Sequence, residues 1–106
     1  MRQVSEWLIL CDRAEAIVTE QALSDRGLES SGYVEEKARL LAMRAGRLTH
    51  HTPSQQPMMA LCNTLRWACN AWWVMDPMDR AVFAPVLAGA ASALRSAITG
   101  QEQQAA

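Results

Sequence analysis

Residues 65–80, LRWACNAWWVMDPMDR, place three of the chain's four tryptophans within seven positions and close on an Asp-Pro pair. At 100° per residue, Leu61, Leu65, Cys69 and Trp72 fall within one narrow arc, with Met58, Ala68 and Met75 on its edges. That periodicity predicts a helix from Pro57 to about Met75 whose arc faces a core. Asp76-Pro77-Met78-Asp79 then reads as an N-cap, a proline at the first helical position and an acid in the first turn, so another helix starts at once.

Outward from this pair, the rest of the chain reads the same way. Residues 3–25 put Val4, Trp7, Leu10, Cys11, Ala14, Ile17, Val18 and Ala22 on one broad stripe, with Gly27 as a C-cap. LESSG at 28–32 is loop chemistry, and 33–49 is a second helix, capped by Ser31, that turns Val34, Ala38, Leu41, Ala45 and Leu48 inward. HHTPSQQP at 50–57 is the longest internal loop. The last helix spans about 77–99, with a break or kink at Pro85, whose ring removes a backbone donor. It is rich in small residues and ends at Gly100. No run of alternating β-branched residues suggests a strand. The expected fold is all-α, a small bundle of four main helices, forming one domain over 1–100 with a frayed tail at 101–106.

With 106 residues, one core is expected. Ten basic and eleven acidic residues leave a net charge of -1, so no global field draws nucleic acid or an anionic membrane. Residues 1–52 hold seven Lys/Arg and eight Asp/Glu, whereas 53–106 hold only Arg66, Arg80, Arg95, Asp76, Asp79 and Glu102. The second half is built to be covered. Charges at Asp12 and Arg13 interrupt the amino terminus before a signal sequence can develop, and the weakly polar run at 81–94 is shorter than the ~20 residues of a membrane span. A cytoplasmic location is expected.

Cys11, Cys62 and Cys69 are odd in number and form no CxxC, and Cys62 and Cys69, seven residues apart on one helix, stand roughly 10 Å apart. They read as reduced thiols that fill the core. His50 and His51 are adjacent and diverge, so no metal is expected there. GxSxG, P-loop, GxGxxG and HExxH patterns are all missing. Neither a catalytic residue nor a cofactor is expected.

Two apolar lines exceed what one core uses. On the third helix Trp67 and Val74 fall beside Asn63 and Asn70, away from the core arc, while Trp73 and Met59 flank Arg66. On the first helix Ile9, Ala16 and Leu23 repeat every seven residues along a side bordered by Asp12, Thr19 and Glu20. Trp and Met are enriched in interface cores, where a rigid ring offers much area for little lost rotamer freedom. These seven residues are therefore candidates for a protein interface.

The function expected is that of a small non-catalytic protein that binds another protein as inhibitor, anti-activator or adaptor. A phage-type inhibitor of a host defence or regulatory complex is one form of this, and a homodimer is expected. The alternative is a helical DNA-binding regulator that uses Arg39, Arg44 and Arg47 at the basic end of the second helix. Glu35 and Glu36 in that helix's first turns and the long preceding loop count against it, so nucleic acid is not the expected partner.

Overall fold

A computed structural model describes residues 2–105 and the side chains of residues 4–101. Its elements are α1 (Arg2–Asp25), α2 (Ser31–Arg47), a 3-10 helix over Thr49–His51, α3 (Met58–Val74) and α4 (Pro77–Ala105). No strand occurs among the described residues. The four α-helices form an all-α bundle, about 45 × 24 × 21 Å, in which α1 packs on α2 and α4, α3 packs on α2 and α4, and α1 and α3 barely meet. Two faces therefore lie opposite each other, one made by α1 and α2 and one by α3 and α4.

Local chemistry sets the helix ends. Gly27, at φ 76°, closes α1: its N–H donates to Ser24 O at 2.9 Å and that of Leu28 to Leu23 O at 2.8 Å. This paired closure needs a residue in the left-handed region, where only glycine is unstrained. α2 begins two residues earlier than the loop chemistry suggested, and its cap is Ser30, not Ser31. Ser30 is extended, at φ -68° and ψ 131°, and its Oγ accepts from Tyr33 N at 3.3 Å. α4 starts as its sequence implied, Asp76 Oδ1 accepting from Asp79 N at 3.0 Å with Pro77 at the first helical position.

The core arc of α3 holds Met58, Cys62, Leu65, Ala68, Cys69 and Trp72, all buried. It meets Trp7, Leu10, Cys11, Ala14 and Ile17 of α1, Ala38, Leu41 and Ala45 of α2, and Leu87, Ala91, Leu94 and Ile98 of α4. Along α1 the expected stripe drifts at its end: Ala22 is exposed and Gln21 is buried. Gln21 tolerates burial because its Nε2 donates to Asp25 Oδ1 at 3.0 Å while its Oε1 accepts from Arg80 at 3.0 Å.

Of the break or kink expected at Pro85, the break does not occur. α4 is one helix that passes through Pro85 and carries its backbone beyond Gly100 to Ala105. Pro85 and Ala81 are both exposed, so the Ala81 carbonyl left without its usual donor faces water. Phe83, Ala84 and Leu87, on either side of the proline, hold the helix to the core. Within α4, Pro77–Gln101 is long and apolar enough to cross a membrane by length and composition, while its Leu87, Ala91, Leu94 and Ile98 edge lines the bundle core.

Candidate interaction surface

Arg80, read from sequence only as one of few charges in the apolar half, has 0% of its surface exposed and ties all four helices together. Its Nε donates to Trp72 O at 2.9 Å and its Nη2 to Trp73 O at 3.2 Å, satisfying carbonyls at the end of α3. Its Nη1 reaches Gln21 Oε1 on α1 at 3.0 Å, and both terminal nitrogens fork onto the Glu35 carboxylate of α2. All five guanidinium N–H groups are thus used. The cation also stands over the Trp72 ring, 5.6 Å from its centroid, and Trp72 Nε1 itself is buried without a hydrogen bond. At the middle of the bundle Arg95 of α4 clamps α1 through Asp12 and Glu15, each at 2.7 Å. The hydrogen bonds it donates to Glu15, and then to Asp12, hold that guanidinium's pKa above its ordinary value. These pairs fix the antiparallel register of α1 and α4.

The knot leaves the outer side of α3 and α4 uncovered. Trp67 is 58% exposed, although Phe83 of α4 reaches it edge-on, with centroids 5.6 Å apart and rings inclined at 68°. Val74, Met78 and Val82 are 79%, 83% and 80% exposed. Met78, Val82 and half-exposed Val86, spaced at i, i+4 and i+8, run up one side of α4 next to Phe83. Arg66 turns away, donating to Thr52 Oγ1 at 3.0 Å, so among the described residues the charges bordering this apolar strip are Asp76 and Asp79 at the start of α4. α4 thus covers one edge of Trp67 and leaves Val74 bare.

The seven interface candidates do not form one patch. Trp67 and Val74 share the α3/α4 face. Trp73, 45% exposed, and half-buried Met59 lie on the side of α3 that carries Arg66. Exposed Ile9 and Ala16 and half-buried Leu23 follow the opposite side of the bundle, where Ala16 lines a cleft of about 170 Å³ between α1 and α2. The arginines of the DNA-binding alternative also divide. Arg44 and Arg47 line that cleft, whereas Arg39 lies outside it, paired with Glu36 and with Met43 Sδ. Met78, Val82 and Val86 are not among the candidates the sequence offers, and the uninterrupted α4 is what brings Val86 into line with the other two.

His50 and His51 lie exposed on the 3-10 helix, and His51 O accepts from Trp7 Nε1 at 3.2 Å. Among the described residues no three His, Cys, Asp or Glu side chains converge on a point that could hold a metal. A second cavity, of about 360 Å³, opens under Pro53–Gln55 onto Trp7, Met58 and Ile98. All three cysteines are free and buried. Burial pushes the thiols up from 9.0, to about 11 for Cys11 and about 12 for Cys62 and Cys69, so at neutral pH they are protonated and weakly nucleophilic.

That shift has a sign. An unfolded chain ionises its thiols near pH 9 while the folded one holds its protons, so stability from this source is complete below pH 9 and declines as pH rises towards 11. The urea midpoint is expected to fall between pH 9 and 11 by less in Cys69→Ala than in the wild type. An equal fall in both would remove Cys69 as a contributor.

No family model, curated protein or solved structure matches the chain.

Proposed function

We propose that this is a small non-catalytic protein that works by protein association, and that its α3/α4 face joins a second copy of the chain to form a homodimer. The observation that carries the reading is the exposure of Trp67, Val74, Met78 and Val82 together on one side of the bundle. An apolar strip of this kind on a small domain is a surface waiting for cover. Its poverty in charge suits a second copy in particular, since a two-fold interface sets each residue against its own neighbourhood and like charges there would repel. Inhibitor, anti-activator and adaptor roles are all served by such a dimer, which acts by occupying a surface. Three unpaired thiols fit a reducing, cytoplasmic setting.

Hydroxyl-radical footprinting at low and high protein concentration tests the face. Oxidation of Trp67 and Met78 should drop with rising concentration, while Met43, 42% exposed on α2, keeps its rate as an internal control. Equal rates at every concentration for all three side chains would refute the proposal.

A further inference from the structure

The opposite side of the bundle carries a different chemistry. Between α1 and α2 runs the cleft of about 170 Å³, floored by buried Ile17 and Leu41 with half-exposed Leu40 and Met43 at its edge. Four cations line it: Arg13 from α1 and Lys37, Arg44 and Arg47 from α2. Of these, Arg44 meets Glu6 only at 4.0 Å, Lys37 stands over the Tyr33 ring, and Arg13 and Arg47 form no ion pair among the described residues. Facing them is one acid, Glu20, whose Oε2 is buried and accepts no hydrogen bond.

We infer that this cleft binds an acidic amphipathic helix from a partner protein, a site separate from the α3/α4 face. Three features select that ligand. Lys37, Arg44 and Arg47, at i, i+7 and i+10, spread positive charge over roughly 15 Å of α2. A carboxylate row at helical spacing matches that length. The half-exposed Leu40 and Met43 at the cleft's edge take the leucine-type anchors that an amphipathic helix lays into a groove between two helices. The open Glu20 acceptor needs an N–H or O–H donor. A polypeptide supplies one from its first helical turn or a serine, whereas the phosphates of a duplex or a lipid surface offer only acceptors. With the neutral face on the other side, the chain has two binding surfaces that need not compete.

The test uses the full ¹⁵N-labelled chain and a synthetic twenty-residue helical peptide with leucines along one face and glutamates beside them. A second peptide with lysines for the glutamates, a twenty-base-pair duplex and phosphatidylglycerol vesicles complete the set. The acidic peptide should shift amides of Arg13, Ala16, Glu20, Leu40 and Arg44 and leave α3 unmoved. Lys37→Glu/Arg44→Glu should weaken it by about tenfold or more, since each reversal turns an attraction into a repulsion. Glu20→Gln, which keeps the acceptor and removes the repelling charge, should tighten it. Both changes lie in the cleft rim, and unshifted α3 and α4 amides verify the fold. The inference is overturned if the acidic peptide moves no cleft amide, if the lysine peptide binds equally well, or if only the duplex or the vesicles shift the cleft. A Trp67→Glu chain should bind the peptide unchanged, so the two surfaces can fail separately.

Discussion

Replacing Arg80 with methionine should cost about 3–5 kcal/mol of folding stability, the range in which removal of one partner from a buried ionic network falls. The size follows from what the substitution leaves behind. Methionine fills part of the space but donates nothing, so Gln21 Oε1 and the Trp72 carbonyl lose donors in places water reaches poorly, and the partly buried Trp73 carbonyl loses one as well. Each buried acceptor left unpaired costs roughly 1–3 kcal/mol. Glu35 is less affected, because its side chain is 49% exposed and can be hydrated. Arg80→Lys should recover only part of the loss, since one ammonium cannot reach five acceptors on three helices. In a chain whose total stability is of order 5–15 kcal/mol, Arg80→Met removes a large share of it. Urea unfolding followed by far-ultraviolet dichroism measures the change, and a loss below 1 kcal/mol would show that the knot orients the helices without stabilising them.

Trp67→Ala should leave the fold nearly intact and weaken self-association by about a hundredfold. The indole is 58% exposed, so roughly 120 Å² of a ~200 Å² side chain remains to be covered, worth at most about 3 kcal/mol per copy. Ordering and imperfect fit reduce this to about half, roughly tenfold in affinity. A two-fold interface counts every substitution twice, which gives the hundredfold figure. Val82→Glu should have a larger effect, because it sets two carboxylates into a strip with no cation to receive them. Trp72→Ala makes the opposite case. Trp72 is fully buried, so its truncation should lower stability by about 3–5 kcal/mol and leave association in the surviving folded fraction unchanged.

The contrast between these two tryptophans was legible in the sequence. Angular position on one helix separates Trp72, beside Leu65 and Cys69, from Trp67, beside Asn63 and Asn70, and the structure buries the first and exposes the second. Arg80 was harder to read because its partners on α1 and α2 lie 59 and 45 residues away. A local signal existed all the same: Arg80, Leu87 and Leu94 repeat every seven residues, which places the arginine on the buried edge of α4. A break at Pro85 would interrupt both that line and the Met78–Val82–Val86 stripe, which the continuous α4 keeps in register. Proline removes one hydrogen bond and crowds the carbonyl four residues before it, but Pro85 lies on the exposed side of α4, where Phe83, Ala84 and Leu87 hold the helix to the core across it. Of the α1/α2 cleft, the sequence singled out Arg44 and Arg47, but it joined them to Arg39; Arg13, Glu20 and Lys37 line the cleft with them only when α1 packs alongside α2.

Sedimentation equilibrium of the full chain, from low micromolar to hundreds of micromolar, tests the central claim most directly. The wild type should move from 11.7 kDa to twice that mass, and Trp67→Glu should stay at 11.7 kDa throughout with an unchanged dichroism spectrum. A wild-type chain that remains at the single-chain mass at every concentration, or a Trp67→Glu chain that doubles as readily as the wild type, would contradict the assignment of the α3/α4 face to a second copy.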